Sequence, residues 1–375
     1  RLRNFDFILN SPDQKMNLKG ERIGTKLKIY YKDREEEIEL GETAFLPVTL
    51  EAFLKEKEIK KGEKISFKMF DPSVKQVADA ILFYKGEEKI AYKNKKIKVS
   101  VYEYEFAGIT QRIYIKDGEI IKEELPFDMV LLKEDKEEAI KISEKPIDLL
   151  FKYAVKPIGK KINLNAKRIL YKISNINLKN LDLEFGNQKL IEKGEDYAVV
   201  EVKKPEIEIV KEININEDLK KYLGSSLFIQ PDEKEIRDSA IKWAKGEDFT
   251  QKSKNLLYKV YNYLSKEPSV TIPSAIEVLN SKKGDCNEHS ILYASLLRAI
   301  GIPCEIVVGL IYQEGFFWYH AWNAIYLNKW IFVDPTYSEF PASPLHIMLK
   351  IGEIEKQAEI APIVGKIKIE VLEVE

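Results

Sequence analysis

The chain has 375 residues, 45% of them apolar, so it can bury a sizeable core and is expected to divide into two or three domains. Sixty lysines and arginines against 61 aspartates and glutamates leave a net charge of -1, which gives no electrostatic reason to expect nucleic acid or a membrane surface as partner. No run approaches the roughly 18 apolar residues of a membrane-spanning helix, and two cysteines are too few for a disulfide framework.

Lysine and glutamate dominate the 32% of charged residues, and Cys and Met are scarce, a composition seen in proteins of hot environments. The numbering starts at Arg1 without an initiator methionine. An exported or envelope protein, processed upstream, is the expectation drawn from that.

Residues 20 to 142 alternate between apolar and charged side chains, as in "TKLKIYY" at 25–31, "KISFKMF" at 64–70 and "KKIKVSVYEYEF" at 95–106. A period of two predicts antiparallel strands with one solvated face. Asp117-Gly118 sits between two such runs and predicts a hairpin turn. One short helix is predicted at "VTLEAFLKEK", where Leu50, Phe53 and Leu54 share a face. A β-rich domain is therefore expected over 1–142. Residues 143–215 carry further alternating runs, notably at 196–213, and form either a second small β-domain or an extension of the first.

From about 216 the pattern turns helical. "SKNLLYKVYNYLSKE" places Leu256, Leu257, Val260, Tyr261 and Leu264 on one stripe. Ser274 and Glu277 form a capping box for "SAIEVLNSKKG", and Gly284 is expected just beyond that helix. After 303 the chain returns to strands at "CEIVVGLIY", "FFWYHAWNAIYL" and "KWIFVDPT". Residues 216–375 thus read as an α+β domain.

The chemistry centres on "SKKGDCNEHSILYASLLRAIGIPCE" at 281–305. Asp285 as N-cap and Glu288 at the third helical position make a second capping box, which leaves Cys286 at the first helical position. There the unpaired backbone N–H groups and the positive end of the helix dipole stabilise a thiolate. The following helix is apolar nearly all round, so it is expected to be buried, and Gly301 and Pro303 stop it.

A cysteine nucleophile needs a base and an orienting group. The chain has three histidines, His289, His320 and His346. His320 lies on one predicted strand and Asp334 at the end of the next, joined through Leu327–Lys329. An odd-numbered loop, or a bulge, puts the two on one sheet face within side-chain reach; a two-residue loop separates them.

These blocks resemble the transglutaminase-like core, a branch of the papain-like cysteine enzymes, over roughly 220 to 350. Gly-x-Cys at a helix start, His-Ala-Trp on a strand and Asp-Pro-Thr after a strand recur in the family's order. The resemblance implies Cys286 as nucleophile, His320 as base and Asp334 as orienting carboxylate. It implies a protein or peptide amide as substrate, opened through a thioester, with water or a lysine amine as acceptor and hydrolysis as the simpler outcome. No cofactor is required, and no calcium loop is present. The family often reads "GIPAR" where this chain has "GIPCE", so Cys304 and Glu305 bear on the substrate groove. For the oxyanion hole, the Cys286 N–H and the Asn280 amide, six residues before the nucleophile, are the donors expected by analogy. Trp322 shares parity with His320 and is placed to shield the ion pair.

Other readings of the same residues are of other classes. The triad could be vestigial in a cell-envelope binding or scaffold module. Cys286 and His289, as Cys-x-x-His, could join His320 and Asp334 in a zinc site. Cys304 reads as a small packed residue, His289 as a structural histidine on the helix flank, and His346 as a residue that packs or caps locally.

Overall fold

The computed structural model describes residues 2–375 except 11–14, 32–33, 42–43, 58, 73–75, 107–108, 126–128, 142–152, 180, 227, 268–272, 354–359 and 361–362. The chain divides into two compact units, Arg1–Asp148 and Leu149–Glu375. The boundary expected at 142 lies outside the described residues.

The first unit is β-rich. Strands Asn4–Asn10, Lys15–Ile23, Lys26–Tyr31 and Arg34–Glu39 form an antiparallel meander. Seven further strands, from Ala44–Phe45 to Met129–Leu132, follow one another in sequence order across a second sheet. The alternating pattern accounts for both: Leu27 and Ile29 are buried while Lys26 and Tyr30 face out. Asp117 and Gly118 take φ values of +52° and +78° between strands Ile109–Lys116 and Glu119–Leu125, as a tight hairpin turn requires. The predicted helix forms over Leu50–Glu56 and packs Leu50, Phe53 and Leu54 against Phe67, Met69 and Leu82.

The second unit is α+β. Its first sheet corrects the reading of 143–215 as a separate domain or an extension of the first. The strands of that region run in the order Ile158–Gly159, Lys368–Val374, Arg168–Ser174, Tyr197–Lys203, Gln188–Lys193. Arg168–Ser174 is flanked on one side by a strand about 200 residues away, so its outer backbone groups are satisfied only within this unit. Tyr171 and Val200 share a core with Leu292, Leu297 and Ile306.

The Cys286–Ala299 helix packs on a four-stranded antiparallel sheet, and helices Lys234–Trp243, Phe249–Tyr263 and Ala275–Ser281 pack against that helix. That sheet runs Trp330–Val333, Phe316–Tyr326, Cys304–Gln313, His346–Ile351. The Cys286–Ala299 helix is buried continuously from Glu288 to Arg298, as its apolar sequence demands.

Candidate active site

The helix before the nucleophile ends at Ser281, three residues before Gly284. Lys282 takes the left-handed conformation at φ +58°, and Lys283–Gly284 then pairs with Ser265–Lys266. Gly284 is needed for space: a Cβ there would lie 2.2 Å from the Glu288 Cβ. Glu288 is held in place because its carboxylate accepts from the Asp285 N–H at 2.8 Å, and Asp285 accepts in return from the Glu288 N–H. Both capping boxes form, and Cys286 opens the helix half-buried.

His320 comes from the centre of the sheet. The loop Leu327–Lys329 joins Tyr326, which pairs with Trp330, and Asn323 pairs with Val333. Extending that register places Asp334 opposite Trp322 and diagonal to His320, all on one face. His320 Nε2 lies 2.7 Å from Asp334 Oδ2, with both side chains buried. With Nε2 so engaged, Nδ1 is the ring nitrogen left for Cys286, which is near enough to help raise the His320 pKa.

The carboxylate has further partners. Its Oδ1 accepts from the N–H groups of Thr336 at 2.7 Å and Tyr337 at 3.2 Å. Its Oδ2 also takes His346 Nε2 at 3.0 Å, while His346 Nδ1 lies 3.1 Å from the Ser343 carbonyl oxygen. The sequence reading of His346 is thus incomplete. It does cap locally, onto Ser343, but its other nitrogen belongs to the Asp334 site. His346 reaches Asp334 because its strand pairs with Cys304–Gln313 on the side away from His320, Ile311 opposite His346. The signal in the sequence is a third histidine opening the strand after Asp-Pro-Thr.

Residues 240–335 match the model of the Transglutaminase-like superfamily. That stretch is a transglutaminase-like domain. Similar solved structures include a candidate cysteine protease from Cytophaga hutchinsonii, 18% identical, with a TM-score of 0.39 over 54% of this chain and 83% of that one. Another is the periplasmic domain of TgpA from Pseudomonas aeruginosa bound to ethylmercury, 16% identical, TM-score 0.34, covering 49% of this chain and 74% of that one. A third, described as a TGase, is 14% identical at a TM-score of 0.24, covering 60% of this chain and 65% of that one. No curated protein matches the chain.

Electrostatics in the transglutaminase-like domain follow from burial and pairing. Burial alone would lower the His320 pKa, but the Asp334 charge and hydrogen bond, with the Cys286 contact, outweigh it and raise the value to about 10. Burial pushes Asp334 the other way, and the two histidines overcome it, holding the carboxyl well below its usual range.

Trp322 is fully buried behind the pair. Its ring lies 6.0 Å from His320 at 19° and 5.1 Å from His346 at 69°. Val307, Phe332 and Met348 complete that apolar backing. Gly309, opposite His320, makes room for the Trp322 ring and the neighbouring strand, since a Cβ there would meet the Ile347 carbonyl oxygen at 2.0 Å and the Trp322 ring at 2.8 Å. On the open side stands Tyr337, 38% exposed, its ring 5.2 Å from His320. Sequence reading missed Tyr337, whose only signal is its place directly after Asp-Pro-Thr.

Asn280 is exposed near the end of the Ala275–Ser281 helix and makes no hydrogen bond to Cys286, His320 or Asp334. Cys304 is buried, and burial raises its thiol pKa. Glu305 is engaged with Arg298 at 3.6 Å and with the Ile306 N–H at 2.8 Å. His289 Nδ1 lies 2.7 Å from the Asp285 carbonyl oxygen, and burial lowers its pKa. Among the described residues, His320, Asp334 and His346 form a cluster with the makings of a metal site, without Cys286 or His289. The contacts of 2.7 and 3.0 Å onto one carboxylate oxygen are hydrogen-bond distances.

Proposed function

We propose that the protein is a cysteine enzyme that cleaves protein or peptide amides through a thioester on Cys286. What supports this reading is the buried His320–Asp334 pair, 2.7 Å apart, with Cys286 at the helix start bearing on the same imidazole. The family match over the same residues supports it.

In the proposed reaction the Cys286 sulfur attacks the amide carbonyl carbon, forming a C–S bond. The tetrahedral oxyanion is stabilised by the Cys286 N–H, which has no intrahelical acceptor at its position. Collapse breaks the C–N bond, and the amine leaves with a proton from the His320 imidazolium. The neutral imidazole then takes a proton from water, the resulting hydroxide attacks the thioester, and the C–S bond breaks to give a carboxylate and the resting enzyme. Asp334 keeps the His320 ring in register throughout, as the orienting member of such triads does.

Water is favoured over a lysine as acceptor by Lys266. Its Nζ lies 5.4 Å from the Tyr337 ring centre, on the open side of His320. An incoming ammonium meets a like charge there, whereas water does not.

The test incubates the protein with a peptide library and a labelled primary amine, and reads products by mass spectrometry. Cleaved or deamidated peptides, absent with Cys286→Ala, are the expected products. Amine-bearing peptides alone would replace hydrolysis by transfer, and no product from either route would defeat the enzymatic reading.

A further inference from the structure

We propose that His346 is a positioning residue for this site, acting through Asp334 on the basicity and orientation of His320. The proposal rests on the reading of Cys286, His320 and Asp334 as a working triad.

The argument starts from hydrogen-bond capacity. Asp334 and the Ser343 carbonyl are acceptors only, and they face the two nitrogens of the buried His346 ring at 3.0 and 3.1 Å. A doubly protonated ring serves both acceptors, and a neutral ring serves Asp334 in the tautomer protonated at Nε2, the state assigned to it. The carboxylate then has four donors, His320 and His346 on Oδ2, Thr336 and Tyr337 N–H on Oδ1. A carboxylate held at both oxygens has little freedom to turn, so the line from Oδ2 to His320 is fixed. The Trp322 ring, edge-on to His346 and nearly parallel to His320, closes the same pocket and keeps water from substituting for either bond.

Sharing one oxygen between two imidazoles also divides its charge. Without the His346 donor, more of the Asp334 charge bears on His320, whose imidazolium persists to higher pH. Other groups face the trio: Cys286 and His289 from the nucleophile helix, Tyr337 from the loop after Asp334, and Lys266 over Tyr337. Each is unchanged by a substitution at His346.

The reaction with iodoacetamide as a function of pH reads this directly, because alkylation of Cys286 requires no amide substrate. His346→Ala is expected to slow alkylation near neutral pH by about tenfold or more, through loss of ring orientation. It is also expected to move the alkaline limb of the profile, where the imidazolium is lost, to higher pH. His346→Gln, which retains a donor, is expected to fall between. Rates are expressed per folded molecule. A lower melting temperature with an unmoved profile means a purely structural role and overturns the proposal.

Imidazole nitrogen-15 labelling gives a readout on the unmutated protein, which has only three histidines. Two hydrogen-bonded Nε2–H signals are expected, from His320 and His346; a His346 signal in free exchange with water refutes the proposal. Should the unmutated protein show no alkylation below neutral pH, the triad reading fails instead, and the nitrogen signals still report whether His346 holds Asp334.

Discussion

The Asn323 side chain donates from Nδ2 to the main-chain oxygen of Ser290 at 3.0 Å, in a fully buried contact. It ties the strand that carries His320 to the helix that carries Cys286, one turn in from the nucleophile. The packing around this bond is largely apolar and so non-directional. Asn323→Val is therefore expected to leave the Ser290 carbonyl without its side-chain donor, at about 1–3 kcal/mol of stability. The folded fraction should show slower alkylation of Cys286, because the helix can slide against the sheet. Chemical denaturation together with the alkylation rate checks both.

Substitution of each cysteine separates reactive from packed sulfur. Cys286→Ala is expected to remove iodoacetamide labelling of the native protein, since Cys304 is buried with its thiol pKa raised. Cys304→Ala should keep labelling at one equivalent and lower stability slightly. Intact-mass analysis decides it, and labelling that persists in Cys286→Ala counts against the assignment.

Asp334→Asn removes the charge that raises the His320 pKa. The rate of amide cleavage is expected to fall about ten-thousandfold, as when an orienting aspartate is neutralised in other triads. Stability should fall by about 3–5 kcal/mol, because a buried pair loses one partner. Turnover and unfolding measured on the same preparation test the two effects.

The pH dependence of stability has a definite sign. His320 is raised from its ordinary 6.5 to about 10, so its contribution is complete below 6.5 and is lost as pH climbs towards 10. Asp334 is depressed from 3.8, so its contribution is complete above 3.8 and is lost as pH falls below that. The His320–Asp334 pair therefore stabilises most between about pH 4 and 6.5. Melting temperatures across pH 3 to 10 should show a maximum there that flattens in Asp334→Asn.

The sequence left the face shared by His320 and Asp334 open, because it turns on loop parity; the register Tyr326–Trp330 leaves a three-residue loop and puts both on one face. The capping boxes at Ser274 and Asp285 were legible, being local in sequence. His346 was not, because its partner across the sheet is set by the pairing of Ile311 with His346, which no periodicity encodes. For the same reason the strands at 158–203 could not be assigned to the second unit. Asn280 stands exposed near the end of a helix that stops at Ser281 with a left-handed Lys282, which redirects the chain before Cys286.

Gly309→Ala tests the packing behind the site. The added methyl would strike a backbone oxygen, which cannot swing aside, as well as the Trp322 ring. A loss of about 1–3 kcal/mol is expected from overpacking, together with a change in tryptophan fluorescence as the indole is displaced. An unchanged spectrum and stability would mean that the strand yields there without cost.

The position of Lys368–Val374 between Ile158–Gly159 and Arg168–Ser174 bears on the order of events during synthesis. A nascent chain that has already emerged through Cys286, His320, Asp334 and His346 still lacks the strand that fills the middle of the neighbouring sheet. Until it arrives, Ile158–Gly159 has no neighbour and Arg168–Ser174 has one open edge, so the apolar side chains of that sheet wait with unpaired backbone beside them. Closure by a distant segment is slow on topological grounds. All four site residues are thus translated before the unit that holds them can finish folding, so a ribosome-stalled chain ending before 368 should bear a complete set of reacting groups and remain inactive.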